Sequence, residues 1–343
     1  MKVLLTGHHG YIGSVMARHL VERGHEVTGL DSFLYRDCTF EGPEAEIPAV
    51  WKDIRDVERR DLAGFDAIVH LAALCNDPLG DLNEAWTYQI NHEASVRLAR
   101  LAKEAGARRF LYASSCSMYG AASGEDLLDE HAELKPLTAY AISKVRTEED
   151  LHALAATDFS PVYMRNATAY GASPRLRADV VLNNLVCWAY TTGKVRIMSD
   201  GTPWRPIVHI EDIAQAFGLV LASPVESTHD QAYNIGANGQ NYQVKELADV
   251  VRAVVPRCEI EYSGQAAPDP RNYRVDFSKF VAAFPAFRPR WDAKSGARQL
   301  YEACRRVGLT LDEFNGQKYI RLNRLRRLIE DRQVDESLRW RAA

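Results

Sequence analysis

The sequence predicts a doubly wound parallel α/β sheet followed by a smaller α/β C-terminal lobe, and three observations carry that expectation. A glycine-bearing turn, Thr6-Gly7-His8-His9-Gly10-Tyr11-Ile12-Gly13, joins an apolar run to a helical pattern. Short apolar runs then alternate with longer amphipathic stretches through residue 170. After Gly171 the rhythm changes, with Pro, Trp, Arg and Asn frequent and the apolar runs shorter.

The first strand is expected at Lys2–Thr6 and the helix it feeds at Tyr11–Glu22. Gly7 allows a tight turn between them, Gly10 lets the backbone approach a pyrophosphate, and Gly13 lets the helix pack closely on the strand. The helix N-terminus offers unpaired amides and a positive dipole end to phosphates. A second strand, Glu26 to Leu30, ends in Asp31. A carboxylate there holds the hydroxyls of an adenosine ribose and repels a 2′-phosphate, which favours NAD over NADP. Further strands are expected at Ala67–Leu71, Arg109–Ser114 and Pro161–Arg165, and helices at Leu82–Ala105 and Ala139–Ala156. This alternation implies right-handed βαβ units with helices on both faces of the sheet. In the second half, Asp200-Gly201-Thr202-Pro203 reads as a turn before Ile207-Val208-His209, and Glu211–Ala222 and Tyr242–Val255 read as helices. Residues 1–170 are thus expected to form a cofactor domain, rejoined by about 207–236. Residues 171–310 form mainly a substrate lobe, and 311–343 a helical tail whose arginines read as a solvated face without chemistry.

The 343 residues carry a net charge of −4, with 46% hydrophobic and 26% charged residues. That balance points away from nucleic acid or an acidic membrane surface as partner. No apolar run is long enough to span a membrane, and the chain opens on a core strand, which leaves no room for a signal peptide. The six cysteines lack metal-ligand spacing and read as free thiols in a reducing cytoplasm. His8 and His9 have no partners at metal spacing and are taken as loop residues, so no metal is expected.

The segment Tyr140-Ala141-Ile142-Ser143-Lys144 places Tyr and Lys on one helix face. A lysine ammonium beside a phenol favours the phenolate and lowers its pKa from about 10. A phenolate near neutral pH can take a proton from a sugar hydroxyl while hydride leaves the same carbon.

On these residues the chain resembles the extended short-chain dehydrogenases/reductases, in particular the NAD-dependent nucleotide-sugar epimerase/dehydratase family typified by UDP-galactose 4-epimerase. The resemblance also rests on Asp53-Ile54, His70-Leu71-Ala72-Ala73, Asn91, Ser114-Ser115, Tyr119-Gly120, and Arg205 before Val208-His209. It implies a Rossmann-type fold, bound NAD, a nucleotide-diphosphate sugar as substrate, and a role in carbohydrate biosynthesis. The activity it implies is 4-epimerisation through a transient keto-sugar. A one-way 4-dehydrogenase or ketoreductase would use the same residues, a 4,6-dehydratase most of them, and a non-catalytic NAD-binding protein only the cofactor set.

The resemblance also assigns roles. Asp53 and Ile54 lie against adenine, Leu71, Ala72 and Ala73 line the cofactor path, and Asn91 supports it. Ser115, which precedes Tyr140 by 25 residues, bonds the reacting hydroxyl, with Ser114 as the fallback. Lys144 also holds the nicotinamide ribose. On the substrate side stand Asn76, Ser117, Thr168, Asn184 with Leu185, and Arg205. Arg271 is a second phosphate arginine, in a displaced register. A homodimer is implied through Leu82–Ala105 and Ala139–Ala156, with Leu98, Leu101, Leu151 and Leu154 as its apolar core. Two departures matter. The family's dehydratases carry an Asp-Glu pair where this chain has Cys116 and Ser117, which argues against 4,6-dehydration. Thr168 stands where the family usually has Asn. Cys116 itself, after a core strand, is expected to pack.

Overall fold

The structure, a computed structural model, describes residues 1–341 except 43, 76–82, 123–125 and 263–270. Its central sheet has seven strands: β1 (Lys2–Thr6), β2 (Glu26–Asp31), β3 (Ala49–Trp51), β4 (Ala67–His70), β5 (Arg109–Ser115), β6 (Ser160–Asn166) and β7 (Gln231–Ile235). Their spatial order is β7-β6-β5-β4-β1-β2-β3, and every pairing is parallel. A parallel sheet is covered on both faces, so its inner strands are apolar on both sides. Val3, Leu4 and Leu5, Ile68 and Val69, and Phe110 and Leu111 are all buried. Alternate residues of each strand therefore feed two separate cores. Val3, Leu5, Val69 and Leu111 pack on one face, and Leu4, Ile68, Phe110 and Tyr112 on the other. The chain order reverses between β1 and β4, and the crevice beyond the carboxyl ends at such a point is where doubly wound sheets bind ligands.

Helix α1 (Gly13–Glu22) follows the glycine turn and packs against α5 (Ile210–Ala222). A Cβ on Gly218 of α5 would lie only 3.0 Å from His19 Nε2, which shows how closely the two helices approach. The opposite face carries α2 (Ala94–Glu104) and α3 (Ala139–His152). In the second lobe, Thr168–Tyr170, Trp204–His209 and Asn241–Gln243 form a three-stranded sheet, while Lys194–Ile197 pairs with Glu259–Tyr262. Helix α4 (Val181–Thr192), Val244–Val254 and Ala293–Val307 pack on one another there.

Three expectations need correction. The stretch expected as one helix over Leu82–Ala105 is, where described, Glu84–Thr87, a π-helix over Tyr88–Glu93, and α2. Within this stretch the Asn91 carbonyl accepts from Ser95 Oγ (2.7 Å) and Thr147 Oγ1 (3.1 Å). The tail is not one solvated helix: Leu311–Asn315 stops at Gly316, Arg321–Glu330 forms a second helix, and Val334 then bridges Trp340. Its arginines are not all solvated either, because Arg321 and Arg324 are buried. The tail straps the edge of the central sheet: Trp340 Nε1 donates to the Ser32 carbonyl (2.6 Å) and Arg339 meets Asp56 (3.0 Å). Finally, Leu98 and Leu151 are fully buried within their own protomer. The helices α2 and α3 turn those leucines inward, so they are not available as an intersubunit core.

Candidate functional site

The glycine turn is built by close approach. Gly7 sits at φ +73°, and a Cβ there would meet the Ala72 backbone nitrogen at 2.7 Å. A Cβ on Gly13 would fall 2.0 Å from the Gly7 carbonyl oxygen. At Gly10 a Cβ would meet only that same carbonyl, at 3.1 Å, so the other side is left for a ligand. Ile12, which caps α1, has no side-chain acceptor for the first-turn amides. A phosphate suits that end of the helix. Tyr11 turns away from the opening and is buried: its hydroxyl donates to the Gly171 carbonyl (2.8 Å) and accepts from Asn183 Nδ2 (2.9 Å). Ser173 Oγ donates to the Tyr11 carbonyl (2.8 Å), so segment 171–173 is stapled to the turn.

Asp31 ends β2 beside this turn. Its carboxylate accepts from the His9 amide (3.0 Å) and the Phe33 amide (2.8 Å). Burial pushes its carboxyl above the usual range, opposed by those two amides and by His8. Both histidines of the turn are pushed below the usual imidazole value. Burial lowers His8, and burial with the Arg175 charge takes His9 down to about 3. His9 Nε2 meets an Arg175 nitrogen, and His8 packs under Gly29.

A cavity of about 340 Å³ opens along the carboxyl edge of the sheet. Gly7, Gly10, Tyr11, Ile12 and Gly13 form one wall, and Asp31, Asp53 and Ile54 mark one end. Leu71, Ala72 and Ala73 run along its floor, and Ser115, Ser117, Tyr140 and Lys144 stand at the other end. Thr168, Arg205 and Arg271 complete it from the second lobe. The sequence-derived set is therefore gathered on one cleft, with exceptions. Asn76 lies outside the described residues. Asn91 is buried off the cleft: its side chain accepts from the Leu74 amide (2.8 Å) and donates to the Leu74 carbonyl (3.0 Å), clamping the strand end. Leu185 packs in the core, and Asn184 donates to the Ala178 carbonyl (2.9 Å). The helical register instead brings Val180 and Val181 to the cleft wall and Asn183 to the glycine turn.

Lys144 is buried. Its Nζ donates to the Ala113 carbonyl (2.7 Å), lies 4.5 Å from the Tyr112 ring centroid and 5.7 Å from that of Tyr140. Burial takes the ammonium down to about 8. Ser115 ends β5 and caps the next turn, its Oγ accepting from the Ser117 amide (3.1 Å). Ser117 Oγ and Asn166 Oδ1 are buried, line the cleft and have no hydrogen-bond partner among the described residues. Cys116 points away: its Sγ contacts the Arg165 carbonyl (3.1 Å), and burial pushes the thiol well up. Arg205 Nη1 donates to the carbonyls of Trp204 (2.7 Å) and Arg271 (2.5 Å), which ties the two arginines together on the second-lobe side of the cleft.

The glycine cradle, the uncapped helix and the carboxylate of Asp31 fit a dinucleotide. Sequence reasoning missed several cleft residues, among them four with reactive or charged side chains or an aromatic ring: Tyr35, Cys75, Arg177 and Arg321. Arg177 pairs with Asp179 at 2.9 Å, and both line the cleft. None of the four belongs to a local motif, and Arg321 sits in a basic run that reads like any solvated face.

The family model described as NAD dependent epimerase/dehydratase family matches residues 3–236. The UDP-glucose 4-epimerase of Corynebacterium glutamicum is 29% identical over 273 residues, 74% of this chain and 80% of that protein. Among solved structures, TunA, an NAD dependent NDP-hexosamine 5,6-dehydratase involved in tunicamycin biosynthesis, aligns with a TM-score of 0.79 at 25% identity, over 91% of this chain and 99% of its own. MoeE5 in complex with UDP-glucuronic acid and NAD aligns with a TM-score of 0.77 at 25% identity, over 89% and 99%.

Proposed function

The chain belongs to the NAD dependent epimerase/dehydratase family, and from that premise we propose that it epimerises a nucleotide-diphosphate sugar at carbon 4 through a transient keto-sugar. It is an NAD-dependent enzyme of this superfamily. The observation that carries it is the grouping of Ser115, Tyr140 and Lys144 on one cleft end with no carboxylate at positions 116 and 117.

The Tyr140 oxygen takes the proton of the 4-hydroxyl, and Ser115 Oγ holds that hydroxyl in place. The Lys144 ammonium offsets negative charge developing on the Tyr140 oxygen. Bound NAD supplies a hydride acceptor and donor. Arg205 and Arg271 are suited to hold the diphosphate, since a guanidinium matches phosphate geometry. With the diphosphate held, the keto-sugar can turn over, and Tyr140 returns the proton to the oxygen of the new epimer. Removal of water would need a further acid and base. Cys116 is turned into the core and the Ser117 hydroxyl is far too weak an acid near neutral pH.

Dehydration is the second reading, favoured by the likeness to TunA. Incubating the NAD-loaded protein with a panel of nucleotide hexoses in heavy water separates the readings. Epimerisation predicts an interconverted sugar of unchanged mass with no build-up of NADH. Loss of one water would establish dehydration, with deuterium entering carbon 5 for 4,6-dehydration and none for 5,6-dehydration, and stoichiometric NADH would establish one-way oxidation.

The assembly we propose is a homodimer. With Leu98 and Leu151 turned inward, it would use the outward face of the same helices, where Ile142, Val145 and the Arg146–Tyr88 stack at 5.0 Å are at least partly exposed. Light scattering at micromolar concentration should give twice the chain mass; a monomer would remove this proposal.

A further inference from the structure

The C-terminal tail delivers a side chain into the cofactor cleft. Arg321, the first residue of the helix Arg321–Glu330, is only 3% exposed and lines the same cavity as the glycine turn. Its guanidinium lies 4.3 Å over the Tyr35 ring, and Nη2 donates to the Arg175 carbonyl (2.8 Å). Its Nη1 is buried without a hydrogen-bond partner among the described residues. Neighbouring arginines are compensated differently. Arg324 meets Asp37 at 2.6 Å, and Arg177 meets Asp179 at 2.9 Å. For Arg321 no ion pair is formed among the described residues; Asp179 and Asp31 act on it only through space. A buried cation held by one carbonyl and one ring is incompletely satisfied, and such a group calls for an anion.

The position says which anion. The carbonyl that holds Arg321 belongs to Arg175, two residues beyond Ser173, and Ser173 is bonded to the Tyr11 carbonyl of the glycine turn. Arg321 is therefore fixed to the segment stapled over the phosphate cradle. Asp53 and Ile54 mark the far end of the cavity. Asp53 is occupied there, its carboxylate meeting Arg55 at 2.6 Å.

We propose that Arg321 is a pyrophosphate contact of the bound dinucleotide, carried across the cleft by the C-terminal tail. The glycine turn supplies amides from below, and Arg321 supplies the charge from the opposite side. A guanidinium can meet two phosphate oxygens through parallel N–H bonds, and Nη1 is the donor left to begin that contact. The assignment holds whichever reaction the sugar undergoes.

Nucleotide-stripped protein is titrated by calorimetry with NAD, ADP-ribose and adenosine, for the wild type and for Arg321→Gln, Arg321→Lys and Arg324→Gln. Arg321→Gln should weaken NAD and ADP-ribose about 10- to 100-fold, in line with loss of a charge-assisted hydrogen bond, and leave adenosine within about twofold. Arg321→Lys should recover part of the loss, and Arg324→Gln should bind all three ligands like wild type. If Arg321→Gln does not fold, Arg321→Lys decides alone, with ADP-ribose weakened several-fold and adenosine unchanged. Equal losses for adenosine and ADP-ribose would overturn the phosphate assignment. So would undiminished ADP-ribose binding by the folded Arg321 variants, or an equal loss in Arg324→Gln.

Discussion

Tyr140→Phe is expected to lower turnover by about 10²–10⁴-fold, the usual worth of a general acid–base group, while NAD binding stays near wild type. The side chain stands at the reacting end of the cleft, with the Lys144 ammonium 5.7 Å from its ring centroid. Phe keeps the ring and loses the one oxygen that can carry the proton. The proposed grip on the cofactor lies elsewhere, at the glycine turn and Asp31, which line the other end of the cavity. The measurement is a turnover assay paired with a count of NAD retained through purification. A Phe variant within a few-fold of wild type would remove Tyr140 from the proton path. Loss of NAD from the variant would instead make Tyr140 a cofactor anchor.

Gly13→Ala is expected to abolish NAD retention and to destabilise the fold by about 1–3 kcal/mol, the usual range for overpacking. The new Cβ would lie 2.0 Å from the Gly7 carbonyl oxygen and 2.7 Å from the His8 Cα. Gly7 has little room on its Cβ side, where an added atom would lie 2.7 Å from the Ala72 backbone nitrogen. The turn must therefore open, and with it the phosphate cradle. Gly239→Ala is the control: nothing lies within 4 Å of its Cβ position. Calorimetric melting and nucleotide content should drop for Gly13→Ala alone. A Gly13→Ala protein that melts like wild type and purifies with NAD would refute the steric account of the turn.

The nucleotide half of this fold was legible because buried parallel strands write themselves as apolar runs. Val3 to Leu5 and Ala67 to Val69 are such runs, and the amphipathic helices between them are read by their period. The edge strand Ala49–Trp51 left no such trace, since all three of its residues are exposed. Helix α4 was missed for the opposite reason. Leu182, Asn183, Leu185, Val186 and Cys187 are buried around much of its circumference, so no clean apolar stripe appears. The same helix explains the error over Asn184 and Leu185. A resemblance gives a segment, but the helical phase decides which residue turns toward the site, and here Asn183 reaches the glycine turn. The cleft residues found by motif lie mostly at strand ends or in the glycine turn, or, for Tyr140 and Lys144, at a fixed spacing along one helix, where spacing constrains geometry. Arg321 lies in a basic stretch with no such constraint, and only the path of the tail reveals that it turns inward.

In the proposed reaction one carbon gives up its hydride and takes the same hydride back. A nucleotide hexose deuterated at carbon 4, incubated with the NAD-loaded protein in ordinary water, tests this most directly. Product isolated after many turnovers should keep the deuterium at carbon 4 of both epimers, with no NADH released and no change of mass. Deuterium found in free NADH, washed into water, or carried by a product lighter by one water would contradict it.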